Sequence, residues 1–357
     1  MRVKLKDVCE KATSNLKQSD ILSIGGTYPV YGASGYLGNI DSYHQDKPYI
    51  AVVKDGAGIG RTTILPPKSS VIGTMQYLIP KENVMPEYLY YVVKHMRLQK
   101  YYTGATIPHI YFKDYQNEEF NLADSIRQRE IVKVLKNVED TIRYQEIEIN
   151  KFDELIKARF IEMFGRPFIN NMNWESRQIK NVVNEVKYGT SKPSVENGEY
   201  KYLRMNNLTY DGRFDLTDLK FISLDNDELE KCVVRKGDVL FNRTNSLDLI
   251  GKTADFDFDE DMVIAGYIIR IRLKETIVPK FFSMYMNTDE VKLHLRTIAK
   301  GAVNQANINA QELQEIPIYL PPIELQNQFV NFVRQVDKSR FDIKKSIIEL
   351  EREVVYD

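Results

Sequence analysis

The feature that most constrains the fold is a stretch from about Ser125 to Phe164 that contains neither proline nor glycine. Its apolar residues recur at alternating steps of three and four: Ile131, Leu135, Val138, Ile142, Ile149, Phe152 and Ile156. Gln145 is the polar interruption of this stripe, and the positions between are mostly charged or polar. The spacing predicts a long amphipathic helix with a coiled-coil seam. At about 1.5 Å per residue it would be roughly 60 Å long, so we expect it to pair with another helix.

The same spacing returns 198 residues later, counted from Ile131 to Phe329. Arg340 is the polar interruption of this second set, which comprises Phe329, Val333, Val336, Ile343, Ile347, Leu350 and Val354. Shorter matches precede both helices in the same order, and they include Ile59-Gly60-Arg61-Thr62 with Ile250-Gly251-Lys252-Thr253, Val71-Ile72 with Val263-Ile264, and Pro86 with Pro279. The chain is therefore an internal repeat of a globular module followed by a long helix, which we call an arm.

These patterns predict an α+β fold with a pseudo-twofold internal repeat, in which two α/β modules are separated by two long antiparallel helices that form a coiled coil. The predicted boundaries are 1–122 for the first module, 123–165 for the first arm, 166–173 for a linker, 174–320 for the second module and 321–357 for the second arm. Strands are predicted at Tyr49–Val53 and Val239–Phe241, and a helix at Pro86–Tyr102, so each module should carry a largely antiparallel sheet.

Full overlap of the two apolar stripes in an antiparallel pair would place Gln145 opposite Arg340. The guanidinium could then donate to the glutamine carbonyl, and such a polar pair can fix the alignment of a coiled coil. Alternatively, both side chains extend outward to solvent. The sequence leaves the two outcomes open.

Composition bounds the class of protein but identifies no partner. The 357 residues carry a formal net charge of −1 and are 43% hydrophobic, which fits two or three domains. No run predicts a membrane span, and the first residues lack a signal-peptide core. Cys9 and Cys232 do not occupy matching places in the repeat, so we expect free thiols in a cytoplasmic protein. Charges of both signs are interspersed along the arms, so any positive surface would have to come from loops of the modules.

The sequence offers no pattern that predicts catalysis. The run Asp55-Gly56-Ala57-Gly58-Ile59-Gly60 resembles a glycine-rich nucleotide loop, but such a loop should open a helix, and the residues that follow are β-prone. We therefore favour a plain turn. The four histidines show no metal-ligand spacing, and we find neither a nucleophile motif nor the Asn/Asp-Pro-Pro-aromatic motif of adenine methyltransferases. We predict a non-catalytic chain without a metal or cofactor of its own.

Polar and aromatic residues of the modules are suited to binding DNA, because Asn, Gln and Arg can contact base edges bidentately while Lys, Ser and Thr suit phosphates. The candidates in the first module are Tyr31, Ser34, Tyr36, Lys54, Arg61, Thr74 and Gln76. Those in the second module are Lys187, Tyr188, Thr190, Lys192, Arg204, Asn206, Asn207, Asn242, Arg243, Thr244, Lys252, Asn304 and Gln305. His109 and Asn307 belong to a wider set. The alternative for every candidate is a solvated loop residue.

Over essentially its whole length, the chain resembles the DNA-specificity subunit of type I restriction–modification systems. The local matches are Tyr28-Pro29-Val30-Tyr31-Gly32-Ala33-Ser34-Gly35, Gly73-Thr74-Met75-Gln76, and Lys236-Gly237-Asp238-Val239-Leu240-Phe241-Asn242-Arg243. Each arm also opens with a glutamine three residues before an apolar residue, which is Gln128 in the first arm and Gln326 in the second. Members of the family often place Glu directly before that glutamine, where this chain has Arg127 and Leu325.

The resemblance implies two target-recognition modules, each of which contacts one half of a bipartite sequence in double-stranded DNA. The arms would act as a spacer and as the docking site of two modification subunits, which would supply S-adenosylmethionine and the adenine-methylating site. A restriction subunit would join for cleavage. Two other classes stay open: a stand-alone DNA-binding protein, and a coiled-coil scaffold that binds only proteins.

Overall fold

The computed structural model describes residues 1–21, 25–104, 108–302 and 304–356, with the backbone alone for residues 353–356. The chain separates into two compact units, which we call unit one (Met1–Gln145 and the end of the chain from Ser346) and unit two (Glu146–Lys345). Val354, which the sequence assigns to the apolar stripe of the second arm, has its side chain outside the described part.

Unit one contains the first module and the beginning of the first arm. Its elements are β1 (Arg2–Lys4), α1 (Leu5–Val8), β2 (Cys9–Thr13), β3 (Tyr28–Gly32), β4 (Gly35–Ile40), β5 (Tyr49–Val53), β6 (Thr62–Leu65), β7 (Ser70–Val71), β8 (Met75–Pro80), α2 (Pro86–His95), α3 (Phe112–Tyr115), β9 (Glu119–Asn121) and the start of α4 (Ser125–Phe164). Short 3-10 turns lie at Gln18–Asp20 and Leu98–Tyr101.

The main sheet of unit one has the strand order β2-β8-β5-β6 and is antiparallel throughout. Its strand β5 is buried along its length because it carries apolar side chains on both faces. Helix α2 has Pro86 in its first turn and buries Tyr88, Leu89 and Val93 in the core. The predicted strand Tyr49–Val53 is confirmed. The main sheet is antiparallel as expected, and strand β3 of the hairpin β3–β4 also pairs with β7 in a second sheet, in parallel.

Unit two contains the second module, the end of the first arm and most of the second arm. Its elements after α4 are β10 (Glu175–Gln178), β11 (Val183–Tyr188), β12 (Tyr200–Leu203), β13 (Lys220–Ile222), α5 (Asn226–Cys232), β14 (Val233–Val234), β15 (Val239–Asn242), β16 (Thr244–Asn245), β17 (Thr253–Asp255), β18 (Met262–Ile264), β19 (Ile268–Leu273), α6 (Pro279–Met286), α7 (Asp289–Ile298), β20 (Lys300–Ala302), β21 (Gln305–Asn307), α8 (Ala310–Glu315), β22 (Pro317–Leu320) and α9 (Ile323–Tyr356). Short 3-10 turns lie at Ile179–Asn181 and Met205–Asn207.

The main sheet of unit two, β11-β19-β15-β17, repeats the antiparallel order of unit one with β15 in the place of β5. Strand β15 is buried, which confirms the strand predicted at Val239–Phe241. Helix α6 has Pro279 in its first turn, in the same way that α2 has Pro86. A second sheet, β13-β12-β18-β14, again contains one parallel pair, β12–β18. Unit two adds the small sheet β16-β21-β20 and the helices α5 and α7.

The predicted helical arms are confirmed, since α4 has 40 residues and α9 has 34. In unit two, Phe160 and Phe164 of α4 pack against Phe329 of α9, with ring centroids 5.4 and 5.5 Å apart. Further along, Asp153 of α4 pairs with Arg340 of α9 over 2.6 Å. Residue numbers rise along one helix as they fall along the other, so the two helices run antiparallel within unit two.

The predicted pairing of Gln145 with Arg340 is wrong. In unit one, Gln145 Nε2 donates to Ser346 Oγ over 3.1 Å. In unit two, Arg340 Nη2 donates to Asp153 Oδ1. Each partner lies roughly two helical turns from the position that full overlap of the stripes requires. Arg340 is buried, and a buried guanidinium is stabilised by a carboxylate more than by a neutral amide, which explains the observed alignment.

The glutamine near the start of the first arm is buried and fully hydrogen-bonded within unit one. Gln128 Oε1 accepts from Met85 N over 2.8 Å, and Met85 is the N-cap of α2. Gln128 Nε2 donates to Asn83 O over 3.1 Å and to Ala123 O over 2.9 Å. The side chain therefore joins the start of a module helix to the start of the arm.

Gln326 makes the equivalent contacts in unit two. Its Oε1 accepts from Val278 N over 2.8 Å, and Val278 is the N-cap of α6. Its Nε2 donates to Thr276 O over 3.3 Å and to Pro321 O over 2.8 Å. The internal repeat thus includes a specific side-chain bridge between module and arm.

Two further expectations concern the cysteines and membranes. Cys9 and Cys232 are both buried and free, as predicted. Burial raises the pKa of the Cys9 thiol to about 12, so this thiol stays protonated at neutral pH. Within the described part of the chain, no helix combines the length and apolar character that a membrane crossing requires.

Candidate nucleic-acid interface

The buried strand β5 of the first module ends in a group of polar side chains. Directly after it, Lys54 N donates to Thr74 O over 3.0 Å, and Lys54 O accepts from Ile110 N over 2.9 Å. The next residue, Asp55, forms a β-bridge with His109. We call Lys54, Asp55 and His109 the first polar cluster.

The second module has the same arrangement after β15. Arg243 N donates to Tyr267 O and Arg243 O accepts from Ile308 N, both over 2.9 Å. Thr244 pairs with Asn307 in the β16–β21 ladder. We call Arg243, Thr244 and Asn307 the second polar cluster. The module repeat therefore extends to matching backbone hydrogen bonds, while the side chains at the matching positions differ.

A glycine turn follows each cluster. The turn after Asp55 leads into β6 in an antiparallel hairpin and opens no helix, so the plain turn favoured from the sequence is confirmed. Gly60 has a φ of +78°, and a Cβ there would lie 2.5 Å from Gln99 N. Its counterpart Gly251 has a φ of +75°, and a Cβ there would lie 2.4 Å from Leu295 Cδ1. Both turns require glycine for their left-handed conformation, and Gly60 also because its Cβ would meet the backbone.

In the first polar cluster, the histidine ring is oriented by the carboxylate. His109 Nδ1 lies 2.6 Å from Asp55 Oδ1, and because a carboxylate only accepts hydrogen bonds, Nδ1 carries the proton. Lys54 Nζ lies 4.0 Å from the other carboxylate oxygen. The ring of Tyr111 stacks on the imidazole with centroids 6.4 Å apart. All three side chains of the cluster are partly exposed, that of His109 by 37%.

In the second polar cluster, the guanidinium is held by two different contacts. Arg243 Nη2 donates to Asn307 Oδ1 over 3.1 Å, and Asn307 Nδ2 donates to Thr244 Oγ1 over 2.9 Å. The guanidinium carbon lies 4.8 Å from the ring centroid of Tyr188, within cation–π range. Tyr188 Oη in turn accepts from Ala310 N over 2.9 Å. Arg243 is therefore fixed in position before any ligand arrives.

The other candidates of the first module, apart from the buried Gln76, are connected to its cluster by neighbouring turns and strands. Tyr31 and Tyr36 face each other across the hairpin β3–β4 with ring centroids 6.2 Å apart, and Ser34 lies in the exposed turn between these strands. Arg61 Nη1 donates to Ala33 O over 2.9 Å, which connects this turn to the glycine turn. Thr74 is exposed and accepts from the Lys54 backbone.

Two candidates of the second module, Asn304 and Gln305, are exposed at the β20–β21 hairpin, next in the chain to the cluster strand. Lys252 is half-buried, its Nζ lies 3.4 Å from Met205 O, and burial lowers its pKa. Lys292 of α7 is buried, and its pKa falls to about 7 because of burial and then of the nearby Lys252 charge. These two lysines are poorly placed to supply charge to a polyanion.

Three predicted cations of the second module pair with acids of the same module: Lys187 with Glu185 over 2.5 Å, Lys192 with Glu228, and Arg204 with Asp218 over 2.7 Å. Thr190 donates to Glu228 as well, over 2.7 Å. Asn206 is exposed in the turn beside Arg204. Much of the predicted positive charge of this module is therefore already neutralised.

Three predicted amides are buried and bonded to the backbone: Gln76 to Ala12 O and Tyr77 O, Asn207 to Asp215 O, and Asn242 to Thr244 O and Tyr267 O. Asn242 is fully buried, and its side chain presents no surface to a ligand in this structure. Its amide satisfies main-chain groups next to Arg243 instead. We leave Gln76, Asn207 and Asn242 out of the proposed interface.

Asp55 is not among the residues that the sequence pattern predicts to bind DNA, since it reads only as part of a turn, and His109 and Asn307 stand out no more than other polar residues. The signal that could have found them is the repeat itself. Lys54-Asp55 and Arg243-Thr244 precede the matching glycine turns, and His109-Ile110 and Asn307-Ile308 match at the spacing of the arms. A residue-by-residue alignment of the two halves of the sequence identifies the residues of both clusters as matching positions.

Two other features of unit two are separate from the clusters. A cavity of about 320 Å³ is lined by arm and module residues that include Asp153, Arg213, Lys280 and Asp337, and by none of the second polar cluster. In the part of the chain that the structure describes, no group of three or more His, Cys, Asp or Glu residues could hold a metal ion.

The sequence matches the family described as the type I restriction modification DNA specificity domain over residues 1–152 and 171–352. A Methanocaldococcus jannaschii protein named as the MjaX specificity subunit of a type I restriction enzyme is 27% identical over 179 residues, which are 49% of this chain and 42% of that protein. The Escherichia coli EcoKI specificity subunit is 23% identical over 180 residues, 49% of this chain and 38% of that protein. The chain thus spans less than half the length of these two curated relatives. The M. jannaschii MjaVIII specificity subunit is 24% identical over 311 residues, 81% of this chain and 72% of that protein.

Solved structures are similar in fold over nearly the full length. The S subunit of a type I restriction–modification system from M. genitalium matches with a TM-score of 0.56 at 14% identity, covering 99% of this chain and 93% of that one. A chain from a study of complex assembly and conformational transition in the type I R-M system matches with a TM-score of 0.63 at 16% identity, covering 99% of this chain and 95% of that one. Since the family match extends over most of both halves, the chain belongs to the family of type I restriction modification DNA specificity domains.

Proposed function

We propose that this chain is the non-catalytic specificity subunit of a type I restriction–modification enzyme and that it recognises a bipartite DNA target, one half with each module. The observation that carries the proposal is the pair of polar clusters. The same backbone hydrogen bonds recur in both modules, yet the side chains are Lys, Asp and His in one and Arg, Thr and Asn in the other. A protein that recognises two different half-sites with one repeated scaffold requires this combination.

The residues around the clusters support DNA as the ligand. Tyr36 and Tyr111 in the first module and Tyr188 and Tyr267 in the second are exposed aromatic side chains next to hydrogen-bonding groups. Arginine, lysine, histidine and amide side chains can contact base edges, and hydroxyl groups can contact phosphates. The proposed interface therefore comprises both clusters with Tyr31, Ser34, Tyr36, Arg61, Thr74, Tyr111, Tyr188, Tyr267, Asn304 and Gln305.

The proposed domain division follows the sequence boundaries, with modules at 1–122 and 174–320 and arms at 123–165 and 321–357. Several large apolar side chains of the arms are exposed, among them Ile126, Val134 and Tyr144 in unit one and Leu155 and Phe341 in unit two. Apolar side chains on exposed helix surfaces suit contacts with a partner protein. We propose that the arms act as a spacer and dock modification subunits, which carry S-adenosylmethionine and methylate adenine, and that a restriction subunit joins them in the cytoplasm.

The test is to produce the full chain together with its modification subunit in a host that lacks adenine methylation, and then to sequence the methylated genome. The expected result is a stable complex and methylation at one bipartite sequence. A chain that binds such a sequence without retaining the modification subunit would be a stand-alone DNA-binding protein. A complex that forms without sequence-selective DNA binding would identify a protein-interaction scaffold.

Replacing Arg243 with alanine is expected to weaken recognition of the half-site contacted by the second module by about 1–3 kcal/mol, the value of a good bidentate base contact. The other half-site should keep its sequence preference. Competition binding of the complex to targets altered in one half-site measures this directly. The matched control is Lys236→Ala, because Lys236 precedes β15 while Arg243 follows it, at the opposite end of the same strand. Equal weakening towards both half-sites would argue against a base contact by Arg243.

A further inference from the structure

The hydrogen-bonding groups that the second polar cluster leaves free for a ligand are mainly donors. Both polar groups of the Asn307 amide are engaged, since Oδ1 accepts from Arg243 and Nδ2 donates to Thr244. Thr244 is itself buried. What remains available is the guanidinium of Arg243, whose Nη1 makes no hydrogen bond to any described residue. A planar guanidinium fits two acceptors that lie side by side.

The first polar cluster offers one donor and one acceptor. Asp55 holds a proton of His109 on Nδ1, so in the tautomer with that single proton Nε2 presents a lone pair, and Nε2 makes no hydrogen bond to the described residues. Lys54 supplies the donor from a neighbouring position, with its Nζ 4.0 Å from Asp55 Oδ2. The cluster therefore suits a ligand edge that carries an acceptor next to a donor.

Purine edges in the major groove of DNA differ in this respect. Guanine presents two acceptors, N7 and O6, whereas adenine presents the N7 acceptor beside the N6 amino donor. We infer that the second polar cluster contacts a guanine through Arg243, and that the first polar cluster contacts an adenine through Lys54 and His109. This inference rests on the proposed function and adds to it the base class at one position of each half-site.

A phosphate group also presents acceptors to a guanidinium, so the two ligands must be separated. Arg243 is held from two directions, by the Tyr188 ring and by Asn307, and this restricts its guanidinium to one orientation. A fixed orientation of the guanidinium contributes most to binding when the two acceptors of the ligand also have fixed positions, as they do on a base edge. Lys54 and His109 act together in the same way, since Asp55 orients the ring and lies beside the ammonium. A phosphate contact would need neither arrangement.

The experiment exchanges the clusters between the modules in the full chain, produced with its modification subunit. One variant carries Arg243→Lys, Thr244→Asp and Asn307→His, and the reciprocal variant carries Lys54→Arg, Asp55→Thr and His109→Asn. Genome methylation identifies the target of each complex. We expect the first variant to replace one guanine by adenine in the half-site of the second module, and the reciprocal variant to replace one adenine by guanine in the other half-site. In each case the unmodified module keeps its half-site, which shows that the complex has assembled.

Should an exchanged module fail to fold, the single variant Arg243→Lys keeps the charge and removes the two-pronged contact. It is expected to lower the preference for guanine over the other bases at one position by about 5- to 150-fold. An unchanged target in these variants, or a loss that is equal for all sequences, overturns the inference and leaves the proposed function standing. The absence of bipartite methylation by the wild-type complex overturns both.

Discussion

Replacing Glu185 with glutamine is expected to destabilise unit two by about 3 kcal/mol, the low end of the cost of removing one partner from a buried ion pair, because Arg270 is buried while the Glu185 side chain is 26% exposed. Glu185 Oε2 accepts from Arg270 Nη2 over 2.5 Å and from Arg272 Nη1 over 3.1 Å, and Lys187 Nζ lies 2.5 Å from Oε1. Arg270 is fully buried, and its other hydrogen bond goes to Val233 O. A neutral amide at position 185 would leave the buried guanidinium without a counter-charge.

Denaturant unfolding followed by the fluorescence of Trp174, the single tryptophan, measures this effect in unit two. Glu175→Gln is the matched control, because Glu175 forms an exposed ion pair with Arg177 that should contribute less than about 1 kcal/mol. Arg270→Met should cost less than Glu185→Gln, since Glu185 then keeps Lys187 and Arg272 as partners. If Glu185→Gln and Glu175→Gln unfold at the same denaturant concentration, the buried pair does not stabilise the module.

The same carboxylate predicts a pH dependence. Burial alone would raise the pKa of Glu185, but hydrogen bonds from Lys187 and Arg270 outweigh burial and hold the pKa below its ordinary 4.5. A lowered pKa in the folded state means that the stabilisation is complete above pH 4.5 and is lost as the pH falls through the folded value. The stability difference between the wild type and Glu185→Gln should therefore be constant near neutrality and shrink in acid. A difference that grows in acid would contradict this assignment.

The arms could be predicted from the sequence because a long helix depends on a local pattern. Apolar residues at steps of three and four, without proline or glycine, are sufficient to specify α4 and α9. The strand at Tyr49–Val53 could be predicted equally well, because a short apolar run bounded by turn residues is typical of a buried strand. In both cases the information lies within a few residues of the element itself.

The alignment of the arms could not be predicted in the same way, because the apolar stripes permit several overlaps of similar burial. The choice depends on a carboxylate 187 positions away, since Asp153 pairs with both Arg340 and Arg213. Arg213 belongs to a module loop, and nothing in the heptad pattern points to it. An ion pair between the arms, shared with a module residue, thus outweighs the polar pair that the stripes alone suggest.

Only part of the candidate interface could be predicted from the sequence, because amide side chains have two uses. Asparagine and glutamine suit base edges, but the same amides also satisfy buried main-chain groups, and the sequence does not distinguish the two uses. Asn242 and Gln76 have the second use, whereas Arg243 has a partly accessible guanidinium. Asp55 and His109 are 54 positions apart, so their contact becomes visible only when the fold brings the β-bridge together.

The two arm glutamines allow a prediction that separates the two units. Gln326→Leu should destabilise unit two by roughly 3 kcal/mol, because it leaves the buried carbonyl of Pro321 and the part-buried amide of Val278 and carbonyl of Thr276 without this partner, at a cost of about 1–3 kcal/mol for a group that is buried unpaired. Trp174 fluorescence should report this loss. Gln128→Leu removes the equivalent three hydrogen bonds in unit one and should leave the Trp174 transition near its wild-type position.

Hydrogen exchange tests whether Gln128 and Gln326 act through the backbone amides that donate to them. The amide of Val278 should exchange faster in Gln326→Leu, and that of Met85 in Gln128→Leu, because each loses its acceptor at the first turn of a module helix. Gln328→Leu is the matched control, since Gln328 is exposed on the same helix as Gln326. If both amides kept their protection in the variants, the glutamines would be packing residues, and the start of each arm would hold its module through apolar contacts alone.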